Sequence, residues 1–267
     1  MRFTRFISIL ISLTILCSTV FAGETACPEH FADGTAPDFI NQKLSAKTRE
    51  VCYSGYALKH SGITRTPLYS AEHLTRMRLL EGKGLKRQSK FFPDPKIPVS
   101  ERAELHHYAR SGYDRGHVAP SADMFDFRSQ QECFSLANMV PQVPENNRGV
   151  WEGVESAVRK LTRERGGLYV VTGPIFQGED LQRIGGAVIV PTQLYKAVYD
   201  PDRQEAGAYL VDNAVEAQPL TVSIAELEKL AGINLFPSIS EKIKSRAMTL
   251  PEPKTYKERR KRGRQHG

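Results

Sequence analysis

The sequence predicts an α+β fold, with a central, mostly antiparallel sheet flanked by helices. Three observations predict it. Strand-like segments cluster near residues 51–70 and again beyond residue 168, with no strict strand–helix alternation of the doubly wound kind. The one long amphipathic segment, 147–165, stands between those clusters. No internal repeat and no clear linker divides the chain.

The elements follow in order. Through about Lys43 the chain is rich in Pro, Gly and polar residues and reads as an irregular lead-in. Val51 to Lys59 (VCYSGYALK) and Thr66 to Ser70 read as a first pair of strands, separated by the turn-rich HSGITR. Leu74 to Leu80 reads as a short helix. The proline-punctuated FFPDPKIP, Phe91 to Pro98, is too broken for regular structure. Short helices are expected over Glu101 to Arg110 and Gln130 to Leu136. From Asn147 to Arg165, Val150, Trp151, Val154, Val158 and Leu161 recur at helical steps until Gly166-Gly167 stops them. The period then changes to strands at Leu168 to Thr172, Ala187 to Val190, Gln193 to Tyr199 and Ala208 to Asp212. Ser223 and Glu226 form a capping-box pair that opens a helix through about Ala231.

The first 22 residues read as a signal peptide. Arg2 and Arg5 precede the apolar run Phe6 to Leu16, and Val20-Phe21-Ala22 forms an A-x-A-like cleavage site before Gly23. A mitochondrial transit peptide is the competing reading, since acids are absent until Glu24, but such peptides spread arginines along an amphipathic helix. Residues 23–250 then form one domain, large enough for a sizeable core. No other apolar stretch approaches membrane-spanning length, so no stable membrane association is expected.

The formal charge of +7 is unevenly placed. From Lys254 onward, KTYKERRKRGRQHG holds seven basic residues and one acid, while the body is close to neutral. Residues 251–267 thus read as a basic tail, either a bland solvated arm or a polyanion tether. Of the four cysteines, Cys17 leaves with the signal peptide. In an oxidising compartment Cys27 and Cys52 are expected to pair, closing a loop of about 26 residues worth roughly 3 kcal/mol. Cys133 is left as a buried apolar thiol.

Three segments carry chemistry. In YDRGHVAP, Tyr113 to Pro120, Asp114, Arg115, Gly116 and His117 crowd together. Arginine forks onto phosphate oxygens and histidine titrates near neutrality. Alone, a D-R-G-H string is equally a surface turn. The second segment is Asn138 to Gln142, NMVPQ. The third is the helix carrying Asn147, Trp151 and Glu155, which share one broad face. An Asn oxygen near a carboxylate suits Mg²⁺, which keeps most of its waters and takes few protein ligands. His106-His107 is a poor metal pair, because adjacent helical residues point apart.

Together, D-R-G-H-V-A-P, N-x-x-P-Q and N-R-G-x-W-x-x-x-E resemble the DNA/RNA non-specific endonuclease family, the sugar-non-specific nucleases with a ββα-metal active site. The resemblance covers about Cys52 to Phe236. It implies that His117, ending the second strand of the ββα unit, deprotonates the attacking water. It implies Asn147 as the one direct protein ligand to Mg²⁺, with Mn²⁺ able to substitute. Glu155 would hydrogen-bond water on the ion, and Asn138 would orient neighbouring groups. Arg115 lies beside the base, with its side chain free to point the opposite way as a strand neighbour. Arg87 is the best match to an upstream arginine set against the scissile phosphate. The implied substrates are DNA and RNA, since attack on phosphate needs no base contact. The signal-peptide pattern points to export to periplasm or medium, while the resemblance leaves the mitochondrial intermembrane space as the alternative address. A non-catalytic polyanion-binding protein on the same scaffold is the alternative; it predicts a missing base or ligand, and none is missing.

Overall fold

A computed structural model describes residues 25–255 together with Glu258. The signal-peptide reading and most of the basic tail lie outside the described residues. The fold is built on a seven-stranded sheet in which every neighbouring pair is antiparallel. Three of its strands come early: β1 (Thr48–Cys52), β2 (Ala57–Ser61) and β3 (Thr66–Thr75). Helix α1 (Arg76–Glu81) follows. A separate two-stranded ladder pairs β4 (Asp114–His117) with β5 (Met139–Gln142), and helix α2 (Phe127–Glu132) lies between them in the chain. The long helix α3 (Glu152–Arg165) returns the chain to the sheet. There β6 (Gly167–Ile175), β7 (Gln193–Asp200), β8 (Glu205–Asp212) and β9 (Leu220–Val222) complete the order β9-β8-β7-β6-β3-β2-β1. Helix α4 (Ile224–Ala231) opens on the expected Ser223–Glu226 capping box.

Strand alternation sorts the sheet into two faces. Leu168 and Val170 of β6, Leu194 and Val198 of β7, and Tyr209 and Val211 of β8 face α3, packing with Trp151, Val154, Val158 and Leu161. The residues between them, among them Val171, Tyr195, Ala197 and Ala208, pack on the other side against Phe31, Ile224, Leu227 and Phe236. Helix α3 ends where expected: Gly166 has φ 104°, a left-handed-side value that suits glycine, and its N–H donates to Thr162 O at 2.8 Å.

Several elements differ from the expectation. Val51 to Lys59 is not one strand: Ser54-Gly55 turns the chain, Tyr53 N–H donates to Tyr56 O, and Cys52 pairs across to Ala57. The predicted Leu74–Leu80 helix begins only at Arg76, because β3 runs on through Thr75, which caps the helix with its side chain. Only Leu105–Tyr108 of the 101–110 segment is helical, one turn capped by Glu104 and His107. The helix placed at Gln130–Leu136 lies earlier, at Phe127–Glu132, where Asp126 supplies the cap.

Cys27 and Cys52 are disulfide-bonded, and Cys133 is a buried free thiol. Residues 247–254 strap across the sheet end and α3. Met248 N–H donates to Ala206 O at 2.8 Å, and Tyr209 Oη donates to Pro251 O at 2.5 Å. Among the described residues no helix is long and apolar enough to cross a membrane.

Candidate active site

The site grows from one strand–strand–helix unit. β4 and β5 pair from Asp114↔Gln142 to His117↔Met139, and Pro144 then starts the turn into the helix that carries Asn147. His117 therefore ends the first strand of the unit, not the second. Gly116 is required by packing: a Cβ there would collide with the Gln142 side chain, whose Oε1 is buried and without a partner among the described residues. Gln142 Nε2 donates to Asn146 Oδ1 at 2.7 Å, and Asn146 Nδ2 donates to Asp212 O at 2.6 Å, fixing the helix entry against β8. Residues 147–151 form a single π-helical turn, a widening frequent at functional sites.

His117 sits in an aromatic box. Its ring centroid lies 4.8 Å from Phe134, edge to face, and 5.7 Å from Phe91. Two guanidinium groups cap the box, Arg87 at 5.2 Å from the Phe134 ring and Arg115 at 4.3 Å from the Phe91 ring. Arg115 thus shares a side with His117, as residues two apart on a strand must; the freedom to point away is not used. Burial, and secondarily the Arg87 charge, pull the His117 pKa down to about 3, so the imidazole is neutral at physiological pH. Its Nε2 is buried with no hydrogen-bond partner among the described residues.

Asn147 is held by its nitrogen. Nδ2 donates to Asp114 Oδ2 at 2.8 Å, and Arg148 grips the same carboxylate through Nε at 2.8 Å and Nη2 at 2.5 Å. Burial opposes ionisation of Asp114, but the hydrogen bonds from Arg148 and Asn147 outweigh it and hold its pKa below the ordinary value. With the nitrogen committed, Oδ1 is the end left to ligate a cation. Glu155 lies two turns further on, its side chain 15% exposed, with Arg159 Nη1 at 3.9 Å. Burial pushes its pKa up to about 7 against the pull of Arg159 and Lys196. An amide oxygen and a weakly compensated carboxylate on one helix suit a hydrated Mg²⁺ or Mn²⁺.

Asn138 bonds to backbone through both ends of its amide. It is fully buried: Nδ2 donates to Ala119 O and Cys133 O, and Oδ1 accepts from Ala119 N–H. It orders the chain just past His117. His106 and His107, expected to point apart, have rings edge to face at 4.2 Å, because the helix there is a single turn. His107 Nδ1 accepts from Glu104 N–H, which makes that pair a cap and not a metal site.

The sequence reading missed Arg159, Phe91 and Phe134. Arg159 was legible in principle, four residues past Glu155 on the same helix. The aromatics carried no signal at the sequence level, since their partners arrive from three separate segments.

Strand–strand–helix on an antiparallel sheet, with these groups on it, defines the class of ββα nucleases. The family model for DNA/RNA non-specific endonucleases matches residues 34–242, and the chain belongs to that family. It is 36% identical over 210 residues to the zebrafish (Danio rerio) protein named mitochondrial nuclease EXOG, covering 71% of this chain and 61% of that one. The human (Homo sapiens) protein of that name is 33% identical over 232 residues, covering 78% and 63%. The chain therefore spans a little over three-fifths of these two relatives. Nuclease C1 of Cunninghamella echinulata var. echinulata is 34% identical over 223 residues, covering 76% of this chain and 84% of that one. Among solved structures, a chain from the EndoG/EndoGI inhibition complex aligns with TM-score 0.67 at 30% identity, covering 73% of this chain and 88% of that one.

Proposed function

We propose that this chain is an exported, metal-dependent endonuclease that hydrolyses phosphodiester bonds in DNA and RNA, with His117 as general base. The observation that carries the reading is a neutral, buried-edge imidazole flanked by Arg87 and Arg115, on the same ββα unit that presents the Asn147 amide. A divalent cation, when bound, would stabilise charge developing on the phosphate and leaving oxygen. Asn147 would hold it directly, and Glu155 would hydrogen-bond its water shell.

The remaining steps belong to the chain. Arg87 and Arg115 bind phosphate oxygens and orient the scissile group. His117 accepts a proton from the attacking water. Since Nε2 is sealed, we assign that role to Nδ1. A base with a pKa near 3 is weak, but an anionic phosphate between the arginines favours the imidazolium and raises its basicity when substrate is present. Nothing in this chemistry reads a base edge, in keeping with action on both polymers.

The test is degradation of plasmid and of RNA by the purified mature protein, with Mg²⁺ or with EDTA, beside His117→Ala. Metal-dependent cutting of both polymers that falls by at least about 10²–10⁴-fold in the variant is expected. Folded protein that cuts neither polymer with several divalent metals would overturn the nuclease reading in favour of the non-catalytic polyanion-binding one. Export rests on residues 1–22. A mature N terminus at Gly23 supports it, whereas co-fractionation with mitochondria would move the protein to the intermembrane space.

A further inference from the structure

The segment that follows His117 is pinned at successive points. Val118 N–H donates to Asn138 O, Asn138 brackets Ala119, and Gln130 exchanges two hydrogen bonds with Ser121. Its last pin is of a different kind. Asp123, 4% exposed, accepts from Arg159 Nη1 at 2.8 Å, and Arg159, 9% exposed, stands on the active-site helix. The same guanidinium lies 3.9 Å from Glu155.

At the other end of the strand, Asp114 holds Asn147 and Arg148. The chain bearing His117 is thus tied to one helix by two aspartates, at Asn147–Arg148 and at Arg159. Those points are about 17 Å apart along the helix axis. A buried ion pair is a costly way to hold a fold, since an apolar pair of similar volume often serves as well or better. Val154, Val158 and Val170 of that layer are aliphatic, but buried Glu72 and Lys196 stand in it too, so the pair belongs to a cluster of ionisable groups gathered beneath the helix that carries Glu155.

We propose that Asp123 is a positioning residue for the phosphodiester site: with Arg159 it forms the second of two clamps that fix His117 relative to Asn147 and Glu155. This rests on the nuclease reading of the site. Asp114 sets the near end of the base-bearing strand, and Asp123 sets the far end while orienting Glu155 through the shared guanidinium.

The test uses the full mature chain with two variants. Asp123→Asn leaves Arg159 buried beside an uncharged partner and is expected to lower Tm, so its activity alone decides little. The double variant Asp123→Leu with Arg159→Met replaces the pair by apolar side chains and is expected to cost less Tm than Asp123→Asn does. Its kcat on plasmid is expected to fall about 10- to 100-fold with KM for DNA unchanged, the scale of losing a group that orients a metal site. The His117 ring signal in ¹H–¹³C NMR is expected to broaden or to titrate closer to 6.5 as the ring loosens. A double variant with wild-type kcat and an unchanged His117 signal would overturn the proposal, leaving the pair purely structural. Should the wild type itself cut nothing, the nuclease reading fails, and the ring signal still decides whether the clamp positions His117.

Discussion

The strands that make one face of the seven-stranded sheet make the other as well, yet the two faces have different chemistry. Toward α4 the face carries Tyr69, Ala71, Val171, Tyr195, Ala197 and Ala208, apolar or phenolic, with His73 stacked on Tyr169. Toward α3 the same strands place Glu72, Thr172 and Lys196 in the layer beneath the active-site helix. Lys196 Nζ, wholly buried, donates to Thr172 Oγ1 at 2.8 Å and lies 3.9 Å from Glu72 Oε1, which has no hydrogen-bond partner among the described residues. Ions in an apolar layer cost stability unless well paired. The difference teaches that the sheet face toward α4 is packed for cohesion, with the buried Glu228–Lys244 pair carried by helical residues and not by the strands, whereas the face toward α3 gives up some stability to place ionisable groups near Glu155.

If that division is right, the faces respond to mutation in opposite currencies. The largest effect belongs to the α3 side. Asn147→Ala, at a half-buried position, should reduce plasmid cleavage at 1 mM-scale Mg²⁺ by more than about 100-fold, beyond the usual cost of losing an outer partner of a metal site. Its Tm should stay within a few degrees of wild type, read by thermal melts. A large loss of Tm with modest loss of activity would break the comparison.

The α4 side should invert the pattern. Leu227→Ala removes a fully buried side chain from α4. The expected cost is about 2–5 kcal/mol, or about 5–15 °C in Tm for a domain of this size. The kcat of the fraction that remains folded should match wild type. A reduced kcat at constant KM would mean that the two faces are coupled through the sheet.

How much of this was legible in the sequence follows the range of the interactions. The helix that runs through Asn147, Trp151 and Glu155 was readable from its apolar spacing, though not the π-helical turn at 147–151, and the Ser223–Glu226 cap was readable because its partners are three residues apart. The Cys27–Cys52 bridge was readable because the two cysteines lie close together near the N-terminal end while Cys133 is far along the chain. The Val51–Lys59 strand was misread because a two-residue turn inside an apolar run leaves the period-2 pattern unbroken. The two clamps and the aromatic box were out of reach: Asp123 meets Arg159 across 36 positions of chain, and Phe91 meets His117 only once the 91–98 segment has folded over. Local rules cannot price such contacts, because they exist only after the sheet has brought the segments together.

The smallest expected effect is the most specific to the buried ions. Burial pushes Glu72 up to about 8, with Asp123 adding to the rise, so the folded protein keeps a proton that the unfolded chain surrenders near 4.5. Its contribution to stability is complete below about 4.5 and is lost as pH rises toward 8. Glu155, raised to about 7, acts in the same direction. His117, lowered to about 3, acts oppositely: between 3 and 6.5 the unfolded chain binds a proton that the folded one refuses, so this stability grows with pH. His30, His60, His73 and His107, all lowered by burial, add to that rise. Above pH 6.5 the histidine contribution has levelled off and only the glutamates still titrate. In EDTA, Tm should therefore decline between pH 6.5 and 8, and Glu72→Gln, which cannot ionise, should flatten the decline by a few degrees. Parallel slopes for variant and wild type would mean that Lys196 keeps Glu72 ionised throughout. The layer beneath α3 would then be a satisfied ion pair, and its cost to stability smaller than the contrast between the faces requires.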